Sequence, residues 1–323
     1  MKLNRKYFLL ALSVLTLLSC KDADNIENEI AKTPVQLRVS RFDRALARSG
    51  PEDILKLKSD YPYLFPEQYP DSLWKVKITD TIQRELLAEV DKAFGDFANE
   101  KVALEVLFKH IKYYFSDFDV PKVITVTSDV QYDTRVILAD TLLILGLDNY
   151  LGKDHHFYRS IQRYIAQGLD KKYLTSDVVS SFAKRVNRFP RNRTFLSRMV
   201  HYGKELYLKD KLLPEISDAQ KITYTKEQLA WSTSNEAQIW RYFIERELLY
   251  STDPKLDRRF LDPAPFSKFR LELDRESPGR IGRYIGWQIV RAFMAKNPKT
   301  SLQLLLDMEA GEIFKRSNYK PQK

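Results

Sequence analysis

The chain has 323 residues, 44% hydrophobic and 30% charged, an ordinary balance for a water-soluble globular protein with a sizeable core. A single cysteine and ten glycines, none in a glycine-rich phosphate loop, exclude a disulfide framework, a thiolate zinc site and a P-loop enzyme. The net charge of +10 keeps polyanionic partners open until the compartment is known.

Residues 1–19 run basic and then apolar, with Lys2, Arg5 and Lys6 ahead of Tyr7 to Leu18. That layout is a secretory signal, its apolar part too short for a comfortable membrane span. The run closes on Leu17-Leu18-Ser19-Cys20, which resembles the lipobox of bacterial lipoproteins. The resemblance implies cleavage before Cys20 and lipidation of its thiol. The expected location is then the cell envelope, with the protein lipid-anchored to a membrane on its periplasmic or surface face. Two or three acyl chains anchor lastingly, since each buried methylene contributes about 0.8 kcal/mol. The leader holds three basic residues and no acids, so +7 of the +10 remains after it. A nucleic-acid partner is thereby excluded, and lipopolysaccharide, peptidoglycan or an acidic protein are the anions within reach.

Residues 20–33, with Asp22, Asp24, Glu27 and Glu29, read as a lipidated flexible tether. Val35 to Val39 alternates like a strand. The region 34–118 is mostly helical, interrupted at Tyr61 to Pro70, where three prolines forbid a helix and four aromatics pin the loop to the body. Lys122–Thr127, Thr134–Ala139 and Thr141–Leu147 are three strand-like runs, and Asp140-Thr141 can turn the last pair into a hairpin. Helices return from about Phe157 to Lys296. A small mixed sheet followed by helices predicts an α+β, mostly helical fold. The span 119–316 forms the α+β region, 317–323 is a tail, and 34–316 makes one unit.

The helix predicted from about Thr194 to Leu212 carries His201-Tyr202-Gly203-Lys204-Glu205. Residues four apart share a helical face, so His201 and Glu205 could grip one ion. A further long helix starts at the capping box Thr225-Lys226-Glu227-Gln228 and carries Asn235-Glu236-Ala237. Glu236 lies on a stripe with Leu229, Trp240 and Phe243, and a buried carboxylate there needs a partner. The order resembles a gluzincin metallopeptidase: strands, a helix with H-E-x-x-H, then a helix with N-E supplying the third ligand. Here Tyr202 replaces the general-base glutamate and Glu205 the second histidine. Without that glutamate a bound water has no nearby base. His201, Glu205 and Glu236 are therefore candidate zinc ligands in a degenerate zincin-like site, with no catalytic residue. The alternative is that His201 and Glu205 form a hydrogen-bonded pair and Glu236 bonds a neighbouring base. No cofactor is expected, zinc being the one candidate. Gly282 and Gly286 stand one turn apart and suit close helix packing. His110, His155 and His156 have no ligand-spaced companions.

Several long stretches are similar to the gliding-motility lipoprotein B (GldB) family of Bacteroidota. They are Tyr224 to Trp231, Asn235 to Trp240, Leu248 to Lys255, Pro263 to Phe269 and Ser277 to Gly282. The resemblance implies an envelope lipoprotein required for gliding, whose partners are the membrane and other proteins of the gliding and type IX secretion machinery. It implies no established reaction. A non-catalytic assembly or stabilising component is the leading expectation. A zinc-dependent metallopeptidase or amidase, and a peptidoglycan- or glycan-binding module, are the alternatives.

Overall fold

The computed structural model describes residues 25–321; the leader and Cys20 lie outside the described residues. Four strands form one mixed sheet: β1 (Val39–Arg41), β2 (Lys122–Val126), β3 (Val136–Leu138) and β4 (Leu142–Gly146), in the order β1-β2-β4-β3. β1 and β4 run parallel to β2, with Val39 opposite Val123 and Ile124 opposite Ile144. β3 is the antiparallel edge strand, Ile137 opposite Ile144. The strand runs at 122–127, 134–139 and 141–147 and the last hairpin are thus where the sequence places them. Val35 to Val39 differs: the ladder takes only three residues, starting at Val39.

β2 reads as a continuous apolar run because both its faces are covered. Successive side chains point to opposite faces, so Val123 joins the main core while Ile124 joins a second, smaller one. That second core is made by α2 (Phe42–Ala47), α3 (Ile54–Asp60), α4 (Asp71–Thr79) and part of α5 (Thr81–Phe94). Phe65, from the proline-rich loop, packs between Phe42 and Trp74, with ring centroids 5.9 and 4.3 Å away. Two of the loop's four aromatics, Tyr61 and Phe65, thus pin it, while Tyr63 and Tyr69 are exposed.

The main core lies on the other face, under α6 (Ala98–Tyr114), α8 (Leu174–Val186) and α9 (Phe195–Leu212), with the short α7 (Arg163–Ala166) aside. Beyond follow α10 (Asp218–Ile222), α11 (Lys226–Ser234), α12 (Glu236–Glu245), α13 (Lys255–Phe260), α14 (Ile281–Lys296), α15 (Leu302–Asp307) and α16 (Ala310–Ser317). α14 is buried nearly all round: Ile281, Ile285, Trp287, Ile289, Val290 and Phe293 are fully covered. A helix whose apolar residues spread over most of its circumference belongs inside a protein.

α9 and α14 touch backbone to backbone. A Cβ on Gly286 would overlap the Met199 carbonyl, and one on Gly203 would overlap the Gly286 carbonyl. The glycine spacing thus marks close packing, with Gly203 as a partner that spacing did not reveal.

Three expectations need correction. Residues 25–31 form a helix, α1, where a flexible tether was expected. Its acids are engaged by α6: Glu27 lies 3.1 Å from His110 Nε2, and Tyr113 donates to Glu29 at 3.0 Å. Ile30, 1% exposed, supplies the apolar anchor. At the other end, Ser317 and Tyr319 are buried, so 317–323 is not the free tail its sequence predicts. Finally, one long helix after Thr225 is two: the backbone leaves the helical region at Asn235 (φ −105°, ψ 7°), whose side-chain amide donates to the Trp231 carbonyl at 2.8 Å.

Gly286→Ala should lower stability by about 1–3 kcal/mol, because backbone atoms cannot rotate out of the new methyl's way. Gly311→Ala, in α16 with nothing near its missing Cβ, should instead gain about 0.5–1 kcal/mol. Urea midpoints of the two variants check this; equal midpoints would refute the close contact.

Candidate functional site

α9 starts where Thr194 caps it, its Oγ1 accepting from the Ser197 amide at 3.3 Å. From that start the 3.6-residue turn sets Tyr202, Glu205 and Lys209 along one side. This side faces a cleft of about 360 Å³, walled by α8, by the approach to β3 and by the first turn of α14. Arg280 caps α14 with a left-handed backbone (φ 62°), and Arg283 follows one turn on.

Glu205 accepts from the Ser180 hydroxyl at 2.7 Å and lies 3.8 Å from Lys209 Nζ. Burial opposes its ionisation, but Lys209, Arg283 and that hydroxyl together hold its carboxyl below the usual range. Burial pulls the Lys209 ammonium down, and its Nζ also donates to the Lys221 carbonyl at 3.1 Å. The Arg283 guanidinium lies 3.7 Å from the Tyr202 ring centroid and donates to the Leu261 carbonyl at 2.5 Å. Arg280 donates to the Thr223 carbonyl at 3.2 Å. On the opposite wall Arg135 pairs with Asp177 at 2.7 Å.

His201 stands above this row. Its ring packs edge-on to Phe189 at 4.9 Å. Its Nδ1 is buried and finds no hydrogen-bond partner among the described residues, and burial lowers its pKa. His201 and Glu205 are close enough for their charges to interact. Glu236 is elsewhere: it is 3% exposed, and its oxygens accept from Tyr284 at 2.9 Å and Tyr319 at 2.7 Å. Tyr284 follows Arg283 directly on α14, about 100° further round, so Glu236 and the cleft meet different sides of that helix. Among the described residues no group of three His, Cys, Asp or Glu side chains could hold a metal ion. The donor set does not fit a zincin centre, since both Glu236 oxygens face phenol donors.

His110, His155 and His156 each meet a single glutamate, at 3.1, 3.2 and 3.0 Å. The residues missed by sequence reasoning are Lys209, Arg280 and Arg283. The two arginines lie in the glycine-spaced run Pro278 to Val290, where packing was the stronger signal. An arginine at each end of a helix turn, beside glycines that draw the helix inward, was the available clue.

Burial pushes Tyr284 and Tyr319 well above the usual phenol range, and the Glu236 carboxylate reinforces it. Both therefore remain donors. Glu236→Leu should cost about 1–3 kcal/mol for each hydroxyl left unpaired, and Glu236→Gln less, since an amide oxygen still accepts. An unchanged melting curve for Glu236→Leu would mean that the hydroxyls find water.

No helix among the described residues is long and apolar enough to cross a membrane. Neither the curated proteins nor the solved structures contain a significant match. A family model described as gliding motility protein GldB, a lipoprotein model, matches residues 23–321. That match spans nearly the whole chain, and the protein belongs to the GldB family of gliding-motility lipoproteins.

Proposed function

We propose that the protein is a non-catalytic component that supports assembly or stability of the gliding and type IX secretion machinery. The lipid on Cys20 holds it to the membrane, and the body serves as a binding scaffold. The supporting observation is at Tyr202, where a water-activating carboxylate would belong. Burial pushes its hydroxyl above the ordinary phenol range, which makes it no base near neutral pH. Glu205, the other carboxylate on that helix face, is engaged by Ser180 and Lys209. On this helix face, then, the position of a zincin's general base holds a phenol and the next carboxylate is already engaged.

Deleting the gene should abolish colony spreading, and a folded His201→Ala variant should restore it. Loss of spreading with that folded variant would favour a metal-dependent role. Zinc analysis of the purified protein should find none at stoichiometric level, and chelator-sensitive peptide cleavage would refute the reading outright.

Cys20→Ser should fail to restore spreading, because an oxygen does not replace the thiolate that accepts the diacylglyceryl group. The variant should leave the membrane fraction or remain uncleaved. Full membrane attachment with palmitate labelling of Cys20→Ser would overturn the anchor assignment.

A further inference from the structure

The cleft beside α9 carries more positive charge than its own acids balance. Six basic and three acidic side chains line it. Arg135 is matched by Asp177 at 2.7 Å, Lys221 by Asp210 at 3.1 Å, and Lys209 shares Glu205 at 3.8 Å. Asp133 and Lys184 stand exposed at the rim. Arg280 and Arg283 remain. Among the described residues neither has a carboxylate within ion-pair distance; Glu205, already engaged by Ser180 and Lys209, acts on both only at longer range, and their hydrogen bonds go to the carbonyls of Thr223 and Leu261.

These two guanidiniums repel each other and Lys209. Burial, with Arg283 next in weight, pushes Arg280 down to about 10. Burial lowers Lys209, and both arginines add to the effect. Covering like charges without an opposite one is costly. Each guanidinium could have been replaced by a neutral side chain if packing were its only use. A surplus of two half-buried positive charges, lining an open cleft, calls for an anion from outside.

We propose that this cleft binds a phosphate monoester, its phosphoryl oxygens held between Arg280 and Arg283. The charge argues for this class, since a phosphate monoester carries about −1.5 to −2 at pH 7 and a carboxylate only −1. Geometry agrees: the planar guanidinium fork suits phosphate oxygens in bidentate fashion. The cleft's 360 Å³ suits a small ligand. A second cleft of about 330 Å³ shares Thr223 and Arg280 with it and is lined by Tyr164, Gln167, Tyr224 and Gln228. It gives the uncharged part of the molecule room among aromatic and amide groups. The inference does not depend on the role in gliding proposed above.

The test uses the full lipidated protein in neutral detergent, at an ionic strength held constant with sodium chloride. Its melting temperature is followed against inorganic phosphate, glycerol 3-phosphate, dihexanoyl phosphatidic acid and acetate. The expected result is a saturable rise with a phosphate compound and none with acetate. A response to the two soluble phosphates identifies a soluble ligand, and a response to phosphatidic acid alone identifies a lipid headgroup; either supports the site. Arg280→Gln and Arg283→Gln should each weaken the response about tenfold or more, the loss of a charge-assisted bidentate contact. Without ligand each variant loses a repulsion but also the bond to the Thr223 or Leu261 carbonyl, so each response is read against the variant's own ligand-free melting temperature. Arg185→Gln, whose partner Asp140 lies outside the cleft, should respond as the wild type does. If either variant fails to fold, calorimetric titration of the wild type decides between phosphate and acetate. No saturable response, equal binding of acetate, or an undiminished response in both folded variants would overturn the proposal.

Discussion

The contact between Gly203 and Gly286 fixes the geometry on which the rest of this protein depends. With no side chains between them, α9 and α14 meet at their backbones, and each becomes a rigid reference for the other. Each glycine costs about 1 kcal/mol in a helix interior. What offsets it is burial of the large residues flanking the contact, among them Phe195, Met199, Trp287 and Phe293. A register shift of one residue would drive a Cβ into a carbonyl. The two helices therefore have one way to dock.

That docking distributes the polar side chains of α14 into three directions. Arg283 turns toward Tyr202 and the cleft. Tyr284 turns to Glu236. Arg291, two turns on, meets Asp210 at 2.7 Å and Asp218 at 2.6 Å, while Trp287 donates to Asp210 at 2.9 Å. Arg291 thereby ties α10 and the end of α9 to the central helix through charge-assisted bonds, which are roughly twice as strong as neutral ones. Burial alone would lower the pKa of such an arginine, and the two aspartates raise it instead.

Two carboxylates that the sequence invites one to group together have opposite environments. Glu236 sits among phenols, in a pocket closed by Tyr319 from the C-terminal end of the chain. Glu205 sits among cations at the base of an open cleft. Charge density follows this division, since the apolar core tolerates Glu236 only with hydroxyl donors at its oxygens. Around Glu205 the balance is reversed, with cations in excess.

The sequence by itself determined the local elements, because their causes are local. Short apolar, β-branched runs placed β2, β3 and β4, Thr194 and the Thr225–Gln228 box marked helix starts, and three prolines kept 61–70 from α-helix. Glu236 was legible as buried from its stripe, and the family from its long blocks. Only the tertiary structure decided partnership. Glu27 and Glu29 look like tether residues until α6 offers His110 and Tyr113 across more than 80 positions. Tyr319 looks like tail until its hydroxyl reaches Glu236. The H-x-x-x-E spacing correctly put His201 and Glu205 on one face, but helical spacing says nothing about which face a third residue on another helix presents. That is set by how α14 docks, with Arg283 toward Tyr202 and Tyr284 toward Glu236, and the docking is set by where two glycines allow the backbones to touch.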